Sequence, residues 1–182
     1  ASLRQSLASG WPPLVIDVRK SPAFLGAPDL IRGALRRDPQ RVAEWSKSLA
    51  SSRWVTRERP KIDRIACPWL VARFVDPEAE FLYVPTPDVK RVAQEQEAVP
   101  YDIPDVEFSH EDDLCSFDAF LTYYRLKDPA LDELAIIVRG ADTGRLDLAP
   151  QAAGLAAISL GLSRLYMDDR EMLEHGMVIY DA

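Results

Sequence analysis

The sequence predicts an α+β protein, mainly helical after residue 60, with a few short strands. Three observations predict it. Short runs rich in β-branched and aromatic residues occupy positions 14–18 and 81–84, the signature of brief buried strands. A capping residue followed by proline recurs at Asp38-Pro39, Thr86-Pro87 and Asp128-Pro129. There the side-chain oxygen takes up a free N–H, and proline fills the first turn, where its own missing N–H costs little. Apolar residues then recur at helical spacing through the second half of the chain.

In chain order, Leu14-Val15-Ile16-Asp17-Val18 follows Pro12-Pro13 and reads as a parallel strand. The helix opened by Asp38 is expected to reach about Ala50, and Ser51-Ser52 marks a joint. Residues 1–52 and 53–182 are therefore read as two units. Asp63 is expected to cap a helix running through Trp69 to Phe74, which Pro68 complicates. Residues 81–84 form a strand and Thr86-Pro87 starts a helix. Positions 101–104 read as loop, and 106–109 as a short strand ending at His110. Ser116 is expected to cap a helix carrying Phe117, Phe120, Leu121 and Tyr124 on one face. The helix begun at Asp128-Pro129 lines Leu131, Leu134, Ala135 and Val138 on its face and ends near Gly140, with Asp142 in or just past its last turn. A segment from about Pro150 is apolar nearly all round and is expected at the centre of the fold. The last helix begins near Asp168 and carries Glu171 and His175 one turn apart.

The chain has 182 residues, 47% of them hydrophobic, and a net charge of −7. That charge is uneven. Residues 1–60 hold 11 basic against 5 acidic residues, whereas residues 61–182 hold 11 against 24, a net −13. An acidic body argues against general nucleic-acid binding, which needs basic groups on the phosphates. Two cysteines, Cys67 and Cys115, are too few for a disulfide framework and read as reduced thiols of a cytoplasmic protein. No basic-then-apolar signal pattern opens the sequence, and the apolar stretch 148–165 is too short and interrupted for a membrane span.

Two stretches carry family likeness. Pro13-Leu14-Val15-Ile16-Asp17-Val18-Arg19 with Ala23-Phe24 resembles the strand that opens rhodanese domains. The likeness covers about residues 11–50 and implies a partial rhodanese-type β-α segment. Rhodaneses transfer sulfur through a cysteine held in a loop of backbone N–H groups. No such strand-Cys-loop follows residue 50, which counts against a sulfurtransferase. Cys67 and Arg73 have the Cys-x5-Arg spacing of anion loops, but Pro, Trp, Leu and Val between them suit a helix with a buried thiol instead.

The second likeness spans roughly 53–182. It rests on Trp54-Val55-Thr56-Arg57, Ile62-Asp63-Arg64-Ile65-Ala66-Cys67-Pro68-Trp69-Leu70, Asp76-Pro77-Glu78-Ala79-Glu80-Phe81, Ser109-His110, Leu114-Cys115-Ser116-Phe117-Asp118, Arg139-Gly140-Ala141-Asp142-Thr143 and Met172-Leu173-Glu174-His175-Gly176. Together these resemble the chromate-resistance family. The resemblance implies a bacterial protein that acts on, senses or detoxifies chromate or its reduction products. Some members are described as regulators of chromate operons, but residues 1–60 show no convincing helix-turn-helix. The family label is phenotypic and names no reaction.

Only two histidines occur, and both fall in these motifs. Imidazole with carboxylates suits zinc, iron or manganese, and the candidate ligand set is Asp63, His110 and Asp142, completed by Glu171 or His175. No nucleotide cofactor is expected. Cys115, at a helix N-terminus that favours thiolate, is the candidate reactive group. Arg64 and Arg139 are the candidate contacts for chromate or a related small anion. An acidic unit repels a dianion, and a bound cation would resolve that conflict. The strand at 14–18 needs a partner, either the larger unit or a second copy in a homo-oligomer.

Overall fold

The computed structural model describes residues 51–182, Leu49, and the backbone of two short strands, β1 (Val15–Asp17) and β2 (Ala34–Arg36). These two strands pair in parallel, as the run at 14–18 predicts. The helix expected from Asp38-Pro39 lies outside the described residues.

A second sheet forms from β3 (Arg53–Arg57), β4 (Glu80–Val84) and β5 (Val99–Pro100), all parallel, with β3 in the centre. Its register sets Trp54 against Phe81 and Val99. Alternation along β3 then sends neighbouring residues to different cores. Trp54 enters the main core, while Val55 packs with Val89 and Ala93 in a smaller one. The described residues form six α-helices, α1 (Asp63–Leu70) between β3 and β4, α2 (Val89–Glu95) between β4 and β5, and, after the strands, α3 (Ser116–Tyr123), α4 (Pro129–Asp142), α5 (Ala152–Leu165) and α6 (Asp169–Asp181). β2 lies against α4. No helix among the described residues is long and apolar enough to cross a membrane.

Helix α1 runs on through a π-helical turn, Val71–Val75, and keeps Pro68 in its interior. Proline has no N–H, so the carbonyl of Arg64, four residues earlier, loses its helical donor. The Tyr83 hydroxyl donates to that carbonyl at 3.2 Å, with the Tyr101 hydroxyl at 3.5 Å. The helix thus tolerates the proline because two tyrosine hydroxyls, one from the buried Tyr101 and one from the half-buried Tyr83, replace the missing bond. Cys67 and Arg73 do not form an anion loop: Cys67 is buried within α1, and Arg73 pairs with Asp181 at 2.7 Å.

Three expectations are corrected. Residues 106–109 are not a strand; only Phe108 bridges, to Tyr101. Its buried apolar ring is a wedge, stacked on Phe120 at 4.3 Å and edge-on to Trp54 at 5.4 Å. Ser116 does not cap α3 but is its first residue, after Cys115. And α5 is not central. It buries Ala152, Leu155, Ser159 and Ser163, while Ile158, Leu160 and Leu165 face outward. Apolar composition shows that a helix can be buried on any side, but not how many neighbours it finds.

Helix α6 packs on α1 at a glycine. A β-carbon added at Gly176 would stand 2.7 and 2.9 Å from two carbons of the buried Ile65 side chain. Gly176→Ala is therefore expected to destabilise the fold by about 1–3 kcal/mol, the usual cost of overpacking. Urea unfolding checks this, and an unchanged midpoint would contradict the packing.

Candidate metal centre

The residues of this site come from four places in the chain, brought together by the packing of α1, α3 and α4. Asp63 is the first residue of α1. It does not cap that helix, as its position suggests from sequence: its neighbour Ile62 holds the cap position, with no side-chain bond. Instead Asp63, 1% exposed, turns its carboxylate toward α3 and accepts the Ser116 N–H at 3.2 Å. Asp142 closes the last turn of α4, whose start is fixed by Asp128 accepting from the Ala130 N–H at 2.8 Å. His110 follows the Phe108 wedge by two residues and is 40% exposed, so one side of the site opens to solvent.

The Nε2 atom of His110 stands 3.3 Å from Asp63 Oδ2, 3.3 Å from Asp142 Oδ2 and 3.3 Å from Asp102 Oδ1. Asp63, His110 and Asp142 can offer ligand atoms that all lie within 4.8 Å of one another, the one such group among the described residues. Asp102 is the residue that the sequence reading missed. It sits in the loop after β5 with φ 52°, a left-handed conformation that aspartate tolerates. Its Oδ1 also accepts from the Ser116 hydroxyl at 3.1 Å. Its Oδ2 is held by Arg57 at 2.6 Å and Arg64 at 3.2 Å. Only its place within the loop-like stretch 101–104 could have pointed to it.

Protonation follows this geometry. The Asp102 and Asp63 carboxylates raise His110 to about 10, against the effect of burial. Burial would raise Asp102, but hydrogen bonds from His110 and Arg57 and the Arg64 charge hold it below the ordinary carboxylate range. Burial, then the charges of Asp63 and Asp102, push Asp142 up to about 7. Asp63 is likewise raised, by burial first. Without a cation, the carboxylates cannot all ionise cheaply at such spacing.

The remaining sequence candidates lie differently. Glu171 is exposed in the first turn of α6 and donates its N–H to the Asp168 cap at 3.0 Å. His175 is exposed and stacks on Tyr166, with ring centroids 4.1 Å apart. Neither belongs to the group that can share one ion. Arg139 makes a two-pronged pair with Asp118, at 2.9 and 2.5 Å. Arg64 bonds Asp102 and the carbonyls of Arg57 and Glu58. Both guanidinium groups thus serve internal partners. A cavity of about 630 Å³ runs along β4 beside Arg59 and Asp169 and includes no member of the triad.

Cys115 precedes α3, where local dipoles favour thiolate, yet the surroundings reverse this. Its thiol is buried, 3.5 Å from the Asp118 carboxylate, and burial with the Asp63 and Asp118 charges pushes it well up. Cys67 is raised by burial as well. Neither thiol is expected to react with a disulfide reagent in the native protein, even as pH rises through the ordinary thiol range. Both should react in concentrated guanidinium. Rapid native labelling of Cys115 would contradict this placement.

Comparison with known proteins follows the same residues. The family model described as "ChrB, C-terminal domain" matches residues 54–182. The chain is 33% identical over 167 residues to Protein ChrB of Cupriavidus metallidurans, covering 90% of this chain and 47% of that protein. It therefore spans about half the length of this curated relative. No solved structure matches. The family match begins at Trp54 and leaves the rhodanese-like reading of residues 11–50 without support. The chain belongs to the family of ChrB C-terminal domains, the chromate-resistance family that its motifs resemble.

Proposed function

We propose that this chain is a cytoplasmic, metal-binding protein of chromate resistance, holding a divalent cation on Asp63, His110 and Asp142. The observation that carries this reading is the spacing around His110. One imidazole nitrogen bears at most one hydrogen and can serve one acceptor well. Here carboxylate oxygens from separate elements stand at the same 3.3 Å from Nε2. Ligands bound at about 2.0–2.1 Å to a tetrahedral ion are about 3.3–3.4 Å apart. Mixed nitrogen and carboxylate donors suit zinc, iron or manganese.

Asp63 and Asp142 would supply charge, and His110, protonated at neutral pH without the ion, would release its proton on binding and supply a neutral nitrogen. Asp102, pinned by Arg57 and Arg64, would stand beside them as an outer carboxylate. The exposed side of His110 gives small molecules access. A cation there would offer chromate, a dianion, a positive point in an otherwise acidic unit. The free, buried cysteines support a reducing compartment and speak against sulfur transfer.

The test is calorimetric titration of chelator-treated protein with Zn²⁺, Mn²⁺ and Fe²⁺, the last without oxygen. The reading expects one ion per chain for at least one of them and a raised melting temperature. Absence of saturable binding by all three would overturn it.

A further inference from the structure

We propose that Ser159 and Tyr180, on helices that contribute no ligand, are positioning residues that hold a strained peptide at Ile62 and so aim Asp63 into the metal centre. The inference rests on the ion-binding reading above.

Ile62 has φ 44° and ψ −105°. Positive φ is an outlier for a β-branched residue, because its branched β-carbon crowds the backbone. Such a conformation persists only when its surroundings over-determine it, and such residues gather at functional sites. Here both peptide groups of Ile62 are held. Its N–H donates to the Ser159 hydroxyl of α5 at 3.1 Å. Its carbonyl accepts the Tyr180 hydroxyl of α6 at 2.8 Å, besides the Ala66 N–H of α1 at 2.8 Å. Ser159 is 2% exposed and Tyr180 3%, so neither bond competes with bulk water. Three residues earlier, the Arg59 N–H donates to Asp169 at 3.1 Å, and its guanidinium binds the carbonyls of Ser163 and Met167. The segment entering α1 is thus fastened to α5, α6 and the joint between them.

Asp63 is the next residue. Its direction is set by the peptide it shares with Ile62, and its Oδ2 stands 3.3 Å from His110 Nε2. Releasing Ile62 to an ordinary conformation would rotate that peptide and swing the carboxylate. The strain is therefore tied to the aim of a ligand and not to the stability of α1, which an ordinary cap would serve better.

The experiment uses the 182-residue chain, freed of metal by chelator and titrated with Zn²⁺. Ser159→Ala is expected to weaken Zn²⁺ binding by about 10–100-fold, the range for outer-shell partners of a metal site, with far-UV dichroism unchanged. Tyr180→Phe, which removes only a hydroxyl, should weaken it in the same direction and serves if Ser159→Ala does not fold. The decisive arm adds Ile62→Gly to the Ser159→Ala chain. Glycine adopts positive φ freely, so the clamp is no longer needed and affinity should return to within about threefold of the unmutated chain. A merely structural role predicts further loss, because the second change also removes apolar packing. Unchanged Zn²⁺ affinity in both single variants, or no recovery in the double, overturns the inference while leaving the ion-binding reading intact. No Zn²⁺ uptake by the unmutated chain fells that reading and this inference with it.

Discussion

Replacing His110 by alanine is expected to weaken Zn²⁺ binding by about 100-fold or more, beyond the roughly 10–100-fold that outer-shell partners cost. His110 is the one nitrogen donor of the group, and the rest of the set is carboxylate. Removing it leaves two candidate ligands, on α1 and α4, with no bridge from the loop between β5 and α3. Asp142→Asn should act in the same direction, because it keeps shape but loses the charge that would hold a cation. The thermal stabilisation by Zn²⁺ should shrink with the affinity, since an ion bound only by the folded chain stabilises it by mass action. His175→Ala is the control. Its ring stacks on Tyr166 at the surface of α6, so Zn²⁺ affinity should not move. Titration calorimetry on the three variants checks this. Equal loss in His175→Ala, or none in His110→Ala, would contradict the assignment.

The largest effect on stability is expected from Phe108→Ala, at about 3–5 kcal/mol. Phe108 is 3% exposed and stacks on Phe120 and, with centroids 6.0 Å apart, on Tyr124. Truncation removes the ring at the middle of an aromatic cluster that includes Trp54, so the cavity cannot easily collapse. The loop is also tied at this residue, where the Phe108 carbonyl accepts the Asp102 N–H at 2.8 Å. Phe108 therefore anchors both His110, two residues on, and Asp102. The variant should lose stability in urea and also lose Zn²⁺ affinity under conditions where it remains folded. Phe108→Leu should cost much less. A Phe108→Ala chain as stable as the parent would show that the loop is held elsewhere.

Local signals were the legible part of this protein. Caps with proline announce α4, and a capping aspartate announces α6, because a free N–H is satisfied within three residues of itself. The β-branched and aromatic runs announce β1 and β4. His110, Asp63 and Asp142 stand out as chemistry-bearing residues at element ends, and the fold does bring them together. What stayed hidden depends on partners distant in sequence. Phe108 alternates with polar neighbours as a strand residue would, yet its ring is a wedge. Cys115 has the local address of a thiolate, but burial and two carboxylates decide otherwise. Glu171 and His175 do share a helix, but α6 turns them to solvent and to Tyr166. Asp102 carries no local mark, because its role comes from Arg57, Arg64 and Ser116 converging on it.

The central claim, that Asp63, His110 and Asp142 hold one divalent cation, is tested most directly by anomalous diffraction from crystals grown with Zn²⁺ and measured at the zinc edge. The account predicts a single strong anomalous peak about 2.0–2.2 Å from His110 Nε2 and from one oxygen each of Asp63 and Asp142. Zinc-soaked crystals with these side chains ordered as described, and no anomalous density among them, would contradict it.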